Sequence, residues 1–360
     1  MHPRILELAA LATFAVPQLE VVSVTAAPAG QGLDDAAVLR DSDGNLLVSR
    51  KADTPRASDR QLRSVQALRA MSDGVRSRLP FAVPQPIGVA MIEDGSVAVT
   101  NYLEGVVPGS SDLPENSPLI GEIANAVAAI HALPTEFIAD AGLPERSIAD
   151  ERDAATTSVE RAKATGRLPV TLERRWFTAI GDAAMWQAHA GVTHGSMRFG
   201  SLLVDGHELV AVTGWAKLGT GDPARDLAFT GALSASAERA FHDAYAAARG
   251  SSVDRQVRQR ARLYSEIELA DALTDAVERD DDRSATRYQA LLERLMHRVA
   301  DAADTPIVHE TLPVLDLEGV RELLRDAQSV RERNADPLRS ESGPVERGDS
   351  LDGDTPITPR

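Results

Sequence analysis

The chain contains no cysteine among its 360 residues. That removes disulfides, thiol nucleophiles and thiolate metal sites from consideration, and it suits a cytoplasmic protein. No apolar run is long enough to span a bilayer, so no membrane is expected as a partner. Positive charge is in deficit: 38 Lys and Arg stand against 54 Asp and Glu, a formal net charge of -16. A surface of that sign repels phosphate backbones, so nucleic acid is not expected either. The clustered Arg255, Arg258, Arg260 and Arg262 read as one solvated helix face. There is also no internal repeat.

What is present is apolar material for a sizeable core, 43% of residues, enough for one bilobal domain or two small ones. Near the N-terminus, Leu6, Ala9, Ala10 and Phe14 recur at helical spacing and predict an amphipathic helix. The small residues Ala26 and Ala27 leave a cleaved secretory signal open as the alternative, although Glu7 interrupts the apolar stretch.

Short apolar runs follow. Strands are predicted over 19–24, 36–40 and 46–50, the last two joined by the turn Asp43-Gly44-Asn45. A helix is predicted over 58–71 with Ser58 or Asp59 as its cap. A proline-fixed connection over 79–86 leads to a hairpin, 89–92 and 97–102, around Asp94-Gly95. Beyond Gly105 the pattern turns helical: 120–133, stopped by Pro134, then 148–165 and 172–189. Strands over 201–204 and 209–213 flank Asp205-Gly206, and helices are predicted over 236–248, 253–278, 283–303 and 317–333.

The fold class is therefore α+β and bilobal. A small strand-rich N-lobe occupies 1–104, and a larger helical C-lobe carrying an isolated hairpin occupies 105–333. A hinge at 101–105 implies a cleft between the lobes. Residues 334–360, rich in Pro, Ser, Gly, Asp and Glu, predict a disordered acidic tail.

The most informative stretch is His194-Gly195-Ser196-Met197-Arg198-Phe199-Gly200-Ser201, followed by an apolar strand. After the hairpin come Val212-Thr213-Gly214-Trp215 and Gly221-Asp222-Pro223-Ala224-Arg225-Asp226-Leu227-Ala228. Together these resemble the catalytic and metal-binding loops of the aminoglycoside and macrolide phosphotransferase family. In that family the first loop reads His-Gly-Asp, four variable residues and Asn. The second reads Asp-Trp and, after a short stretch, Gly-Asp-Pro-x-x-Asp-Leu-Ala. Leu79-Pro80-Phe81-Ala82-Val83-Pro84, Tyr102-Leu103-Glu104-Gly105 and His131-Ala132-Leu133-Pro134 also resemble family segments, so the similarity covers roughly residues 1–300. It implies a protein-kinase-like fold.

Phosphoryl transfer in such a fold needs an Asp as base, an Asn and an Asp on Mg²⁺, and a strand cation paired with a helix Glu. By the resemblance, those positions are Ser196, Ser201, Gly214 and, for the helix Glu, Ser64. A hydroxyl is a poor base near neutral pH, and neither Ser201 nor Gly214 offers the carboxylate that Mg²⁺ prefers. The residues that shape the loops remain: His194, Gly195, Trp215, Asp222 and Asp226. The resemblance then implies a degenerate, pseudokinase-like member, catalytically inactive, that acts as a ligand sensor or protein-binding module. Its partner would be an unidentified small molecule or protein. No magnesium is expected, and nucleotide, if bound, would meet Arg50, Lys51 and the hinge near Tyr102 weakly and without metal.

The alternative is an active ATP- or GTP-dependent small-molecule O-phosphotransferase, with Asp205, Glu208 or Asp222 rebuilding a metal site. His189 and His194 lack a third ligand for zinc. Ser196 lacks the Gly-x-Ser-x-Gly elbow of a hydrolase. Gly30-Gln31-Gly32 lacks the third glycine of a phosphate-covering loop and reads as a plain turn.

Overall fold

Five antiparallel strands form the first layer of the computed structural model, which describes residues 3–28, 36–301 and 307. They are β1 (Val21–Ala26), β2 (Ala36–Asp41), β3 (Leu46–Ala52), β4 (Pro86–Ile92) and β5 (Gly95–Asn101), in sheet order β1-β2-β3-β5-β4. The β2–β3 turn is set by chemistry visible in the sequence. Asp41 accepts the Asn45 backbone amide at 2.7 Å and its side-chain amide at 2.9 Å, and Gly44 takes a φ of 87°.

Successive strand residues face opposite sides. On one face, Ala37, Leu39, Leu47 and Val99 pack with Leu8 and Ala12 of α1 (Pro3–Ala15), and the Ser49 hydroxyl donates to the Leu8 carbonyl at 2.9 Å. The expected helix is thus a structural layer of the N-lobe, but its buried stripe is corrected: Leu8 and Ala12 face the sheet, whereas Leu6 and Phe14 of the predicted stripe are exposed. The other face carries α2 (Pro55–Ala70). This helix starts three residues before the predicted span. Thr54, not Ser58 or Asp59, is the cap, accepting the Ala57 amide at 3.2 Å, and Pro55 fits the first helical position because an amide there has no partner to lose.

A short helix, α3 (Asp73–Arg76), then leads into the proline-fixed connection. Arg76 pins that connection by donating to the carbonyls of Leu68, Met71, Val83 and Pro84. The C-lobe begins with α4 (Pro118–His131), α5 (Glu136–Asp140), α6 (Ile148–Ala164) and α7 (Val170–Gly181). The helix predicted over 172–189 stops early because Asp182 caps a separate 3-10 turn, accepting the Ala184 amide at 2.9 Å.

Two short strand pairs follow. One is the predicted hairpin, β7 (Leu202–Asp205) and β8 (Glu208–Val212). The other, β6 (Gly191–Thr193) with β9 (Gly219–Gly221), has too few residues for an alternating pattern to announce it. A 3-10 segment, Pro223–Ala232, leads from β9 toward the next helix. The lobe ends with α8 (Ala235–Arg249), α9 (Val257–Glu278) and α10 (Asp282–Asp301), around a core that includes Trp176, Trp215, Leu172 and Phe241.

The β7–β8 hairpin is also the joint between the lobes. Ala82 donates to Val210 at 2.9 Å, and Val212 donates to Ala82 at 3.0 Å. Past the hinge, Val106 and Val204 exchange both amide bonds at 2.9 Å. Gly105, with φ 120°, sits so close to Leu203, Val204 and Val210 that a side chain would collide with them. The expected bilobal α+β architecture is the one found. The helix predicted over 317–333, the tail from Asn334 and the Gly30/Gly32 pair lie outside the described residues.

Candidate functional site

The loop that opens with His194 is held from below by one carboxylate. Asp226, fully buried, accepts the His194 amide at 2.6 Å and the Gly195 amide at 2.8 Å. His131, at the end of α4, places Nε2 3.2 Å from the same carboxylate and Nδ1 2.8 Å from the Tyr245 hydroxyl. Burial alone would push the Asp226 carboxyl up. The hydrogen bond and charge of His131, with the contribution of His194, outweigh it and hold the group below the usual carboxylate range.

His194 is itself buried. Its Nε2 lies 2.8 Å from the Thr213 carbonyl, which can only accept, so Nε2 carries the hydrogen. Its Nδ1 has no hydrogen-bond partner among the described residues. Burial depresses its pKa, which favours this neutral ring. Trp215 packs edge-on against it at 4.6 Å and anchors its own indole to the Val212 carbonyl at 2.8 Å. Gly195 adopts φ 76° directly over the Lys217 carbonyl.

On this support three of the positions singled out in the sequence converge. Ser196 donates its hydroxyl to the Gly214 carbonyl at 3.3 Å. The Ser201 Oγ lies 3.4 Å from where a Cβ on Gly214 would stand, and the Thr213 amide donates to the Ser201 carbonyl at 2.8 Å. Ser201 is buried, and its Oγ has no partner among the described residues.

Asp222 faces elsewhere. It caps the Ala224 amide at 3.0 Å, and its two oxygens take Arg260 at 2.7 and 3.1 Å and the Tyr264 hydroxyl at 2.9 Å. Arg260 also donates to the Met185 carbonyl at 2.8 Å and pairs with Asp254. Its reading as part of a solvated face is corrected: Arg260 is 0% exposed. The sequence did hold a signal, since Val257, Arg260 and Tyr264 share the apolar stripe of α9. Glu151 was likewise missed. It sits on the buried stripe of α6 with Ile148 and Ala155, accepts Arg146 at 2.7 Å and pairs with Arg225, whose guanidinium lies 4.4 Å over the Tyr264 ring.

In the N-lobe the two candidate strand cations separate. Lys51 lies on the α1 face, with its ammonium 2.9 Å from Glu7 and 3.2 Å from Asp53, so its expected place at a nucleotide is corrected. Arg50 lies on the face that carries α2, beside Val48 and opposite Ala98. Ser64 is half-buried on α2, and Gln61 of the same helix reaches β3. Gln61 donates to the Arg50 carbonyl at 3.0 Å and accepts the Ser96 hydroxyl at 2.6 Å. At the hinge, the Tyr102 amide donates to the Leu46 carbonyl at 2.8 Å.

A model of the phosphotransferase enzyme family matches residues 25–264, two thirds of the sequence. The chain belongs to this phosphotransferase family. Similar solved structures show the same fold. Macrolide 2'-phosphotransferase MphH of Brachybacterium faecium is 23% identical, with a TM-score of 0.64 over 79% of this chain and 97% of its own. Macrolide 2'-phosphotransferase type I is 22% identical, with a TM-score of 0.63 over 79% and 95%. A GDP complex of an aminoglycoside 2'-phosphotransferase-IIIa variant is 16% identical, with a TM-score of 0.66 over 84% and 100%. No curated protein matches the sequence.

The family likeness makes the charge of the loop centre a direct question. Magnesium takes hard oxygen ligands in octahedral geometry. At the matched positions this phosphotransferase-family chain offers it two hydroxyls and a glycine, and the Asp222 carboxylate is already engaged by Arg260, Tyr264 and a backbone amide. These residues do not fit the ion. Among the described residues, no three His, Asp or Glu side chains gather in a way that could hold a metal, and no helix is long and apolar enough to cross a membrane.

Proposed function

We propose that this member of the phosphotransferase family does not transfer phosphate, and that it serves in the cytoplasm as a ligand sensor or protein-binding module. One observation carries the reading: Ser196, Ser201 and Gly214 meet at the centre of the loops without a carboxylate among them. Charge neutralisation and positioning are most of what a protein contributes to phosphoryl transfer. Loss of one preorganised electrostatic contact commonly costs about 10²–10³ in rate. Several such losses at one centre leave little above background, although they do not simply add. The retained contacts of His194, Gly195, Trp215 and Asp226 support a loop kept for its shape.

The test is a thermal-shift titration of the purified chain with ATP and with GTP, each with and without Mg²⁺. A ligand bound only by the folded state raises Tm by mass action. Under this proposal the metal adds nothing to any shift. Magnesium-dependent stabilisation, or turnover of either nucleotide with a hydroxyl acceptor, would favour an active O-phosphotransferase.

A further inference from the structure

We infer that a pocket in the C-lobe, separate from the loop centre described above, binds a small organic oxyanion: a carboxylate or phosphate carried on an apolar body. The cavity measures about 650 Å³, inside the range of ~300–1,000 Å³ found for small-molecule sites. It opens between the end of α4, the segment leading into β6, the end of α8 and the start of α9. None of its lining residues comes from 194–218 or from the N-lobe.

Its charge runs against that of the molecule. Arg249, Arg255 and Arg260 line it with one carboxylate, Asp254, in a chain of net charge -16. Asp254 pairs with Arg260, which Asp222 also holds from outside the lining, so Arg249 and Arg255 stand as two further cations beside that network. Arg249 is the informative one. Its Nε is buried and has no hydrogen-bond partner among the described residues. A guanidinium stays charged in proteins, and a buried donor on it is costly to leave unmade. Its planar fork matches a carboxylate or phosphate with two parallel bonds. Arg255 is exposed and stands at the edge of the same cavity.

The remaining wall suits an apolar body. Leu133, Val253 and Val257 line it, and Tyr245 contributes a ring with a hydroxyl. Tyr245 and His131 are the residues that support Asp226 from behind, so an occupant would rest on the prop of the His194 loop.

Calorimetric titration of the full chain tests this, with benzoate and inorganic phosphate as probes and benzylamine as the cationic counterpart of benzoate. Saturable binding of benzoate is expected, with or without phosphate, and none of benzylamine. Binding of phosphate without benzoate would overturn the proposal, because the inorganic ion carries no apolar body. Removing a hydrogen bond to a charged group weakens binding about ten- to a hundredfold, and that loss is expected for Arg249→Gln with unchanged circular dichroism. Arg255→Gln, at an exposed position, should bind several-fold more weakly and decides the matter if Arg249→Gln does not fold. Saturating ATP should leave benzoate binding unchanged. The proposal is overturned by absent binding of both oxyanions at millimolar concentration, by wild-type affinity in the arginine variants, or by competition from ATP.

Discussion

The Ser201 hydroxyl stands 3.4 Å from the site a Cβ on Gly214 would occupy. Two positions thirteen residues apart, flanking the β7–β8 hairpin, are therefore still aimed at one point, as a shared ligand would require. That convergence makes restoration a fair test. The variant Ser196→Asp, Ser201→Asn, Gly214→Asp places an acid, an amide and a second acid around the point. Gly214 has a φ of 86°, a region that Asp tolerates better than most residues, at a strain of about 1–3 kcal/mol. The expected outcome is a folded protein, a few degrees lower in Tm, whose nucleotide-induced thermal shift now depends on Mg²⁺. A folded triple variant without metal dependence would count against the placement of these residues.

Asp222 and Arg260 give a second prediction. Both side chains are inaccessible to solvent, and burial opposes the arginine's charge, yet the hydrogen bond and charge of Asp222 keep its pKa above the ordinary value. Removing one partner of a buried pair leaves an uncompensated charge and typically costs about 3–5 kcal/mol. Arg260→Met should cost about that much in urea unfolding. Adding Asp222→Asn to it should recover a large part of the loss. If the two losses simply add, the pair is not coupled as the geometry indicates.

The fold was legible in the sequence wherever period and turn chemistry agreed. Asp43-Gly44-Asn45 and Asp94-Gly95 marked turns that join the expected strands, because a positive φ or an Asx side chain leaves few other readings. The ordered motifs around His194 and Asp226 gave the family. The buried polar network was not legible. Arg260 and Glu151 look like surface charges by residue type, and only their positions on apolar stripes betray them. Their partners, Asp222 and Arg225, are 38 and 74 residues away, a separation that helical spacing cannot report. Arg50 and Lys51 show the same limit. Adjacent strand residues face opposite sides, and which side carries α2 is decided only by packing.

Asp226 is expected to matter more for stability than its conservative replacement suggests. Asp226→Asn keeps the volume but loses the charge that accepts two amides and faces His131. One amide must then meet a donor or go unpaired, at a cost of about 2–4 kcal/mol. Because the folded pKa of Asp226 is depressed, its contribution is complete above the ordinary carboxylate pKa of about 4. It is lost only as pH falls through the folded value. Substitution should therefore lower the urea midpoint at pH 7 and leave a smaller difference in strong acid.

Acid sensitivity above that range belongs to a different group. His242 is 6% exposed, its Nε2 lies 3.3 Å from the Thr230 hydroxyl, and its Nδ1 has no partner among the described residues. Burial first, and then Arg258, lower its pKa from 6.5 to about 4, with Asp243 opposing. The unfolded chain therefore binds a proton between those values that the folded chain refuses. Stability that is full above pH 6.5 should be lost as pH falls toward about 4, by about 3 kcal/mol at one pH unit per ~1.4 kcal/mol. His242→Gln stays neutral throughout and can still meet the Thr230 hydroxyl, so its unfolding free energy should fall much less between pH 7 and pH 4.5. His194, whose pKa is also depressed by burial, would account for the slope that remains. Equal pH dependence in the variant and the wild type would show that His242 takes up its proton without unfolding the C-lobe.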